Sequence, residues 1–392
     1  MEDLPSKHNF EEVIKRRGTD AKKHNVYPED IIPMGIAETD FKCPQPIIDA
    51  MVNRAEHGIY GYPLNSTSFN QAVIKWQGER FEWEIEEEWV EFAPAIVTAL
   101  VTAIQAFTHP GDKVVIQTPV YHPFHSIVTN NGRIKAVNQL ILKDGKYLID
   151  FEDLEYRLKD PRTKLMLLCN PHNPVGRVYT REELLKIGEL CLKHNVIVAS
   201  DEIHSDLVYS GHKHIPFPTL SEELQQISLV FINPSKTFNL AGLRTAAVIT
   251  PNRFLRETYR ERVLSNRVDG RTVFGTLPFE IAYNECGYYA DQIVEYLEQN
   301  VNYLLKYFEE KIPAIKVIQP EATYLIWLDC RDLRMTQEAL NRFMLEQAKL
   351  GLNDGILFGE EGRGFMRMNI GCRRAVLEDA LQRIENAVNE LS

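Results

Sequence analysis

The stretch "INPSKTFNLAGLR", Ile232 to Arg244, sets Lys236 at the end of an apolar run, where the chain breaks into a Pro-Ser turn. An amine held behind an apolar strand is desolvated, so its pKa falls and it can serve as a nucleophile or a base near neutral pH. Other apolar runs also end in polar groups. "WVEFAP" leads through Ala95, Ile96 and Val97 to Thr98 at the start of a helical pattern, where free backbone N–H groups suit an anion. "KVVIQTP" is followed by Tyr121, "KLMLLCNP" by Asn173, "VIVAS" by Asp201 with His204 close behind, and "LVFINP" by Ser235 and Lys236.

Taken singly, most of these residues have a plainer explanation. Thr98 or Asp201 can cap a helix, Tyr121 can pack, Asn173 between two prolines can shape a turn, and His204 can be a hydrogen-bonded structural residue. Their recurrence at five successive strand ends predicts one shared site, because ligands of open α/β sheets bind beyond the carboxyl ends of the strands. Other chemistries fail on spacing. A Ser-x-x-Lys pair would need serine where Asn233 stands, and neither a G-x-S-x-G elbow nor a P-loop glycine precedes Lys236. "HKH" at His212 to His214 lacks a clear third metal ligand, and "GEEGRG" at Gly359 lacks the strand and helix of a dinucleotide turn.

The elements that must position these residues are legible as patterns. From about residue 88, short apolar runs alternate with helical stretches, as βα units with a mostly parallel, doubly covered sheet require. After roughly residue 285 come a long amphipathic helix ("DQIVEYLEQNVNYLLKYFEEKI"), strands around "IKVIQPEATYLIWLDC", another helix, "GFMRMNIGC" and a last helix predicted to reach Ser392. In "FMRMN" strand alternation puts Arg367 on one face with Phe365 and Asn369, opposite Met366 and Met368. The expected architecture is α/β. Residues 49–285 form a large domain, 286–392 a small α+β domain, and 1–48 pack on the latter.

Composition excludes several classes. A chain of 392 residues, 44% hydrophobic and 25% charged, has the bulk for two globular domains. A formal net charge of -11 argues against a nucleic-acid partner. The N-terminal "MEDLPSKHNFEEVIKRRG" has no apolar signal core and no window suits a bilayer, so no membrane partner and a cytoplasmic location are expected. Cys43, Cys169, Cys191, Cys286, Cys330 and Cys372 lie far apart without C-x-x-C, which fits small core residues better than disulfides or a thiolate metal site.

With "PVYHPF", "NPHNPVG", "SDEIHSDLVYSGHKHIPF", "PSKTFNLAGLR" and "GFMRMNIGC" in order, nearly the whole chain resembles the fold-type I pyridoxal-phosphate enzymes of the aminotransferase class I/II superfamily. "SDEIHSD" and "HIPF" look most like the cysteine-S-conjugate β-lyase (cystathionine β-lyase) branch. The resemblance implies that Lys236 holds pyridoxal 5'-phosphate covalently and that Asp201 pairs with the ring nitrogen. It further implies that Asn173 bonds the ring's phenolic oxygen and Tyr121 stacks on the ring, with His204 where many relatives carry tyrosine. The phosphate would meet the amides of Ile96 and Val97, the hydroxyls of Thr98 and Ser235, and Arg244. Arg367 matches the arginine that grips a substrate carboxylate, a role suited to its bidentate fork. Tyr62 matches a tyrosine that relatives supply from the neighbouring subunit, which implies a homodimer with shared sites. Two motifs depart from the family. "W-V-A-D-M-D-F" reads "GIAETDF", with Gly35, Glu38 and Thr39 substituted, and "C-P-R" reads Cys372-Arg373-Arg374. The first departure leaves substrate size and leaving-group preference open.

The expected activity is cleavage of an S-substituted cysteine to thiol, pyruvate and ammonia. The alternative is an aminotransferase using the same constellation. A regulatory ligand sensor on this fold would need a fused basic DNA-binding domain, for which the early α/β pattern leaves no room.

Overall fold

A computed structural model of the protein describes residues 7–391. The first six residues of the N-terminal stretch discussed above, and Ser392, lie outside the described residues. The predicted last helix runs from Arg374 to Asn389.

The central sheet contains β1 (Val90–Ala93), β2 (Lys113–Thr118), β3 (Ile134–Gln139), β4 (Thr163–Cys169), β5 (Ile197–Asp201), β6 (Ser228–Ile232) and β7 (Ala246–Ile249). They lie in the order β1-β7-β6-β5-β4-β2-β3. The sheet is parallel from β6 to β3, and β7 runs antiparallel to both neighbours.

The uninterrupted apolar runs follow from burial on both faces. Leu165, Leu167 and Cys169 of β4 join the core under helices Ile96–Phe107 and Arg253–Asn266, while Met166 and Leu168 join the one under helix Arg181–Lys193. Period-two alternation thus feeds two cores at once, so neither set of positions can be polar.

The C-terminal part adds a four-stranded antiparallel sheet of β8 (Lys316–Val317), β9 (Leu325–Asp329), β10 (Asn353–Asp354) and β11 (Phe365–Asn369), in the order β8-β9-β11-β10. The long helix Gly287–Lys311 and helix Arg374–Asn389 pack in the same apolar cluster as this sheet. Near the N-terminus, Ile32–Pro33 pairs in parallel with Leu350–Gly351. The following segment, residues 35–41, accepts hydrogen bonds from Arg367 and Asn369 of β11 and from Lys236 and Asn239 in the turn after β6. Among the described residues no helix is long and apolar enough to cross a membrane.

Candidate active site

The carboxyl ends of β2, β4, β5 and β6 open into one cavity of about 130 Å³. Its walls include Ile96, Val97, Tyr121, Asn173, Asp201, His204, Ser235, Lys236 and Arg244. The structure therefore brings together nine of the residues chosen from strand ends and motifs. Six residues not chosen also line it, Ala37 and Cys169 among them.

Local chemistry explains each placement. The turn carrying Lys236 is closed by Asn233, whose Oδ1 accepts from the Ser235 N–H at 2.7 Å, and by the Phe238 N–H donating to the Pro234 carbonyl at 2.8 Å. Lys236 is partly buried, and its Nζ donates to the Ala37 carbonyl at 2.7 Å. Burial lowers the amine to about 8; Arg367 acts in the same direction, while Asp201 and Glu38 oppose. Asp201 ends β5 beside Cys169 of β4. Burial pushes its carboxyl up to about 7, although the Ile203 N–H donates to it at 3.2 Å and Lys236 lies near. His204 is buried and held well below its usual pKa by desolvation, then by Lys236 and Arg367, so its ring is neutral. Tyr121 keeps its proton, because burial raises its pKa.

The helix Ile96–Phe107 begins against the cavity with Ala95 as its N-cap, which offers no side-chain acceptor. The amides of its first turn therefore remain available to an anion, and the Ser235 and Arg244 side chains stand nearby in the cavity wall. Thr98 is the third residue of this helix rather than its cap, and it does not line the cavity.

Arg367 is reached from the small sheet. It is buried and pairs across strands with Trp327 and Asn353. Its Nη1 donates to Asn173 Oδ1 at 2.9 Å, and its Nη2 to the Gly35 carbonyl at 2.8 Å and to Asn353 Oδ1. Its guanidinium lies 4.8 Å from the Phe358 ring centroid, and burial lowers its pKa to about 10. Among the described residues its Nε, like Nδ1 of His204, has no hydrogen-bond partner. Both faces of β11 are buried, so the alternation read from "FMRMN" separates two interiors rather than an inside from an outside.

Tyr62 stands apart. It is fully exposed among the exposed side chains Ile59, Tyr60 and Leu64, outside the cavity. His214 of "HKH" is committed elsewhere, to a buried contact at 2.8 Å with Glu202, which also accepts from Ser200 Oγ and the Phe217 N–H. "GEEGRG" contains one short 3-10 turn, Glu360–Gly362. There a side chain at Gly362 would meet the Gly355 carbonyl at 2.0 Å, so close backbone approach is what that glycine serves.

A family model described as aminotransferase class I and II matches residues 29–384. The chain belongs to this family. Cystathionine beta-lyase PatB of Bacillus subtilis is 44% identical over 386 residues, covering 97% of this chain and all of PatB. The crystal structure of cystalysin from Treponema denticola, which contains pyridoxal 5'-phosphate, superposes with a TM-score of 0.94 at 34% identity, over 98% of this chain and all of that one. The pyridoxal-phosphate-bound C-S lyase of Staphylococcus hominis gives a TM-score of 0.91 at 29% identity, over 98% of each chain. The fold is accordingly the fold-type I architecture expected from the motifs.

Proposed function

We propose that this family member is a pyridoxal-phosphate-dependent carbon–sulfur β-lyase that converts S-substituted cysteines, cystathionine among them, to a thiol, pyruvate and ammonia. The observation that carries the reading is the meeting of a readily deprotonated amine, Lys236, with a buried acid, Asp201, at the strand ends of one cavity. The lyase names of PatB and of the Staphylococcus hominis enzyme favour this activity over transamination.

The residues present fit the cofactor. Asp201 is a buried carboxyl with a strongly raised pKa, and a cationic ring nitrogen opposite it would restore its charge. The uncapped amides at Ile96 and Val97, with Ser235 and Arg244, offer the donors a phosphate needs, and Thr98 follows in the same turn. Tyr121 and Asn173 stand in the walls for the ring's face and phenolic oxygen, with His204 beside them. When bound, pyridoxal phosphate supplies the covalent attachment and the electron sink that make the substrate Cα–H bond acidic.

The chain's own groups do the remainder. Arg367 takes the substrate carboxylate through its guanidinium fork and fixes which Cα bond faces Lys236. The Lys236 amine, already pulled down to about 8 by burial, removes the Cα proton. The thiolate then leaves from Cβ, and the three-carbon remainder hydrolyses to pyruvate and ammonia. A second copy of the chain completes this reading as a homodimer: Tyr62 is exposed on an apolar patch and would reach the partner's cavity near the exposed Arg244. The large domain 49–285 and the small domain 286–392 with residues 1–48 would supply the two sides of the substrate cleft. We place the enzyme in the cytoplasm, in keeping with six free cysteines.

The test supplies an S-alkyl-cysteine to cofactor-loaded protein with no keto acid. Equal amounts of pyruvate, ammonia and thiol over many turnovers are expected. A single half-reaction that stalls until a keto acid is added would identify an aminotransferase instead.

A further inference from the structure

Tyr324 lies just before β9, in the apolar run "TYLIWLD", and its side chain is buried. Its hydroxyl donates to the Ala37 carbonyl at 3.2 Å. That oxygen is the one accepting from Lys236 Nζ at 2.7 Å, so the tyrosine and the lysine occupy the two lone pairs of one buried acceptor. Burial raises the Tyr324 pKa far above its ordinary value, which keeps the hydroxyl a donor across the working pH range.

Both partners of this contact are held. Thr323 has a φ of 70°, a left-handed conformation that β-branched residues adopt only under external constraint. The constraint is visible: the Thr323 N–H donates to the Leu207 carbonyl at 2.7 Å, and the Tyr209 hydroxyl donates to the Thr323 carbonyl. The Ile370 N–H fixes the Tyr324 carbonyl at 2.8 Å, and the tyrosine ring meets His204 edge-on at 6.2 Å. On the other side, Asn369 Nδ2 donates to the carbonyls of Ile36 and Glu38, the residues flanking Ala37. The Ala37 oxygen is thus a fixed seat.

We propose that Tyr324 is a positioning residue for Lys236: by sharing the Ala37 carbonyl it sets where the amine rests, and how firmly, whenever that amine is free to carry a proton. The inference rests on the reading of Lys236 as the proton-carrying lysine. The titratable and charged groups facing the amine are Asp201, Glu38 and Arg367, with neutral His204 beside them. A second donor on one carbonyl weakens what the oxygen offers the first. Removing the hydroxyl therefore strengthens the ammonium's hold on Ala37 and makes the amine harder to deprotonate.

Tyr324→Phe tests this in cofactor-free protein, where lyase activity plays no part. Acetylation of Lys236 by acetic anhydride is followed by mass spectrometry of its peptide across pH 6–10. The midpoint should rise by roughly half a pH unit, and reactivity at pH 6, well below the midpoint, should fall about threefold. Placing 3-fluorotyrosine at 324, a stronger donor of the same shape, should shift the midpoint the opposite way. In cofactor-loaded Tyr324→Phe, kcat for an S-alkyl-cysteine should fall while KM stays within about twofold. Should the acetylation profile be the same in wild type and both variants, the proposal is overturned whatever the chain's activity proves to be.

Discussion

Asp201 and Lys236 are both held away from their preferred charge states, and that has a consequence for stability. The Asp201 carboxyl has an ordinary value near 3.8 when unfolded and about 7 when folded. Below pH 4 it is protonated in both states and costs nothing. Above pH 7 it is ionised in both, and the folded, cofactor-free protein bears the full burial penalty. Asp201→Asn should therefore stabilise cofactor-free protein at pH 8 by about 2–4 kcal/mol in urea titration, with the gain disappearing as the pH falls towards 4. Lys236 behaves in the opposite sense: its lowered value costs stability below pH 8, and that cost fades as the pH rises towards 10.5. The placement of these two residues was legible because each ends an apolar run. Ala37 was not, since a main-chain carbonyl leaves no side-chain signature, and Tyr324 hid inside a run that reads as ordinary strand.

Among the elements, the parallel strands and their helices were legible from alternating apolar runs and helical patterns. Thr180 and Glu183 form a full capping box at the start of helix Arg181–Lys193, with the Thr180 side chain accepting from the Glu183 N–H and Glu183 accepting from the Thr180 N–H. Thr180→Ala should cost about 1 kcal/mol in urea unfolding and leave kcat unchanged, because the box holds a helix remote from the cavity. The reversed direction of β7 was not legible, as a fully buried strand is apolar at every position whichever way it runs. Nor could periodicity reveal that Ile32–Pro33 pairs with Leu350–Gly351, a contact only two residues long.

For the whole molecule, the proposed dimer makes a prediction that no single chain can satisfy. Lys236→Ala should lose turnover by about a thousandfold. Tyr62→Ala should weaken cofactor retention. Mixed and re-associated, the two variants form some dimers in which the intact lysine of one chain meets the intact tyrosine of the other. Activity should recover to about a quarter of wild type if subunits pair at random. An assay of the mixture against each variant alone reads this out, and no recovery would remove Tyr62 from the site.

The run from Gly35 to Glu38 touches the candidate site from a part of the polypeptide translated well before Lys236, yet the side chains that pin it, Arg367 and Asn369, are translated well after that lysine. A nascent chain long enough to expose Lys236 thus still lacks the side chains that fix the backbone seat of the proposed catalytic amine, so competence would require synthesis to continue past Asn369.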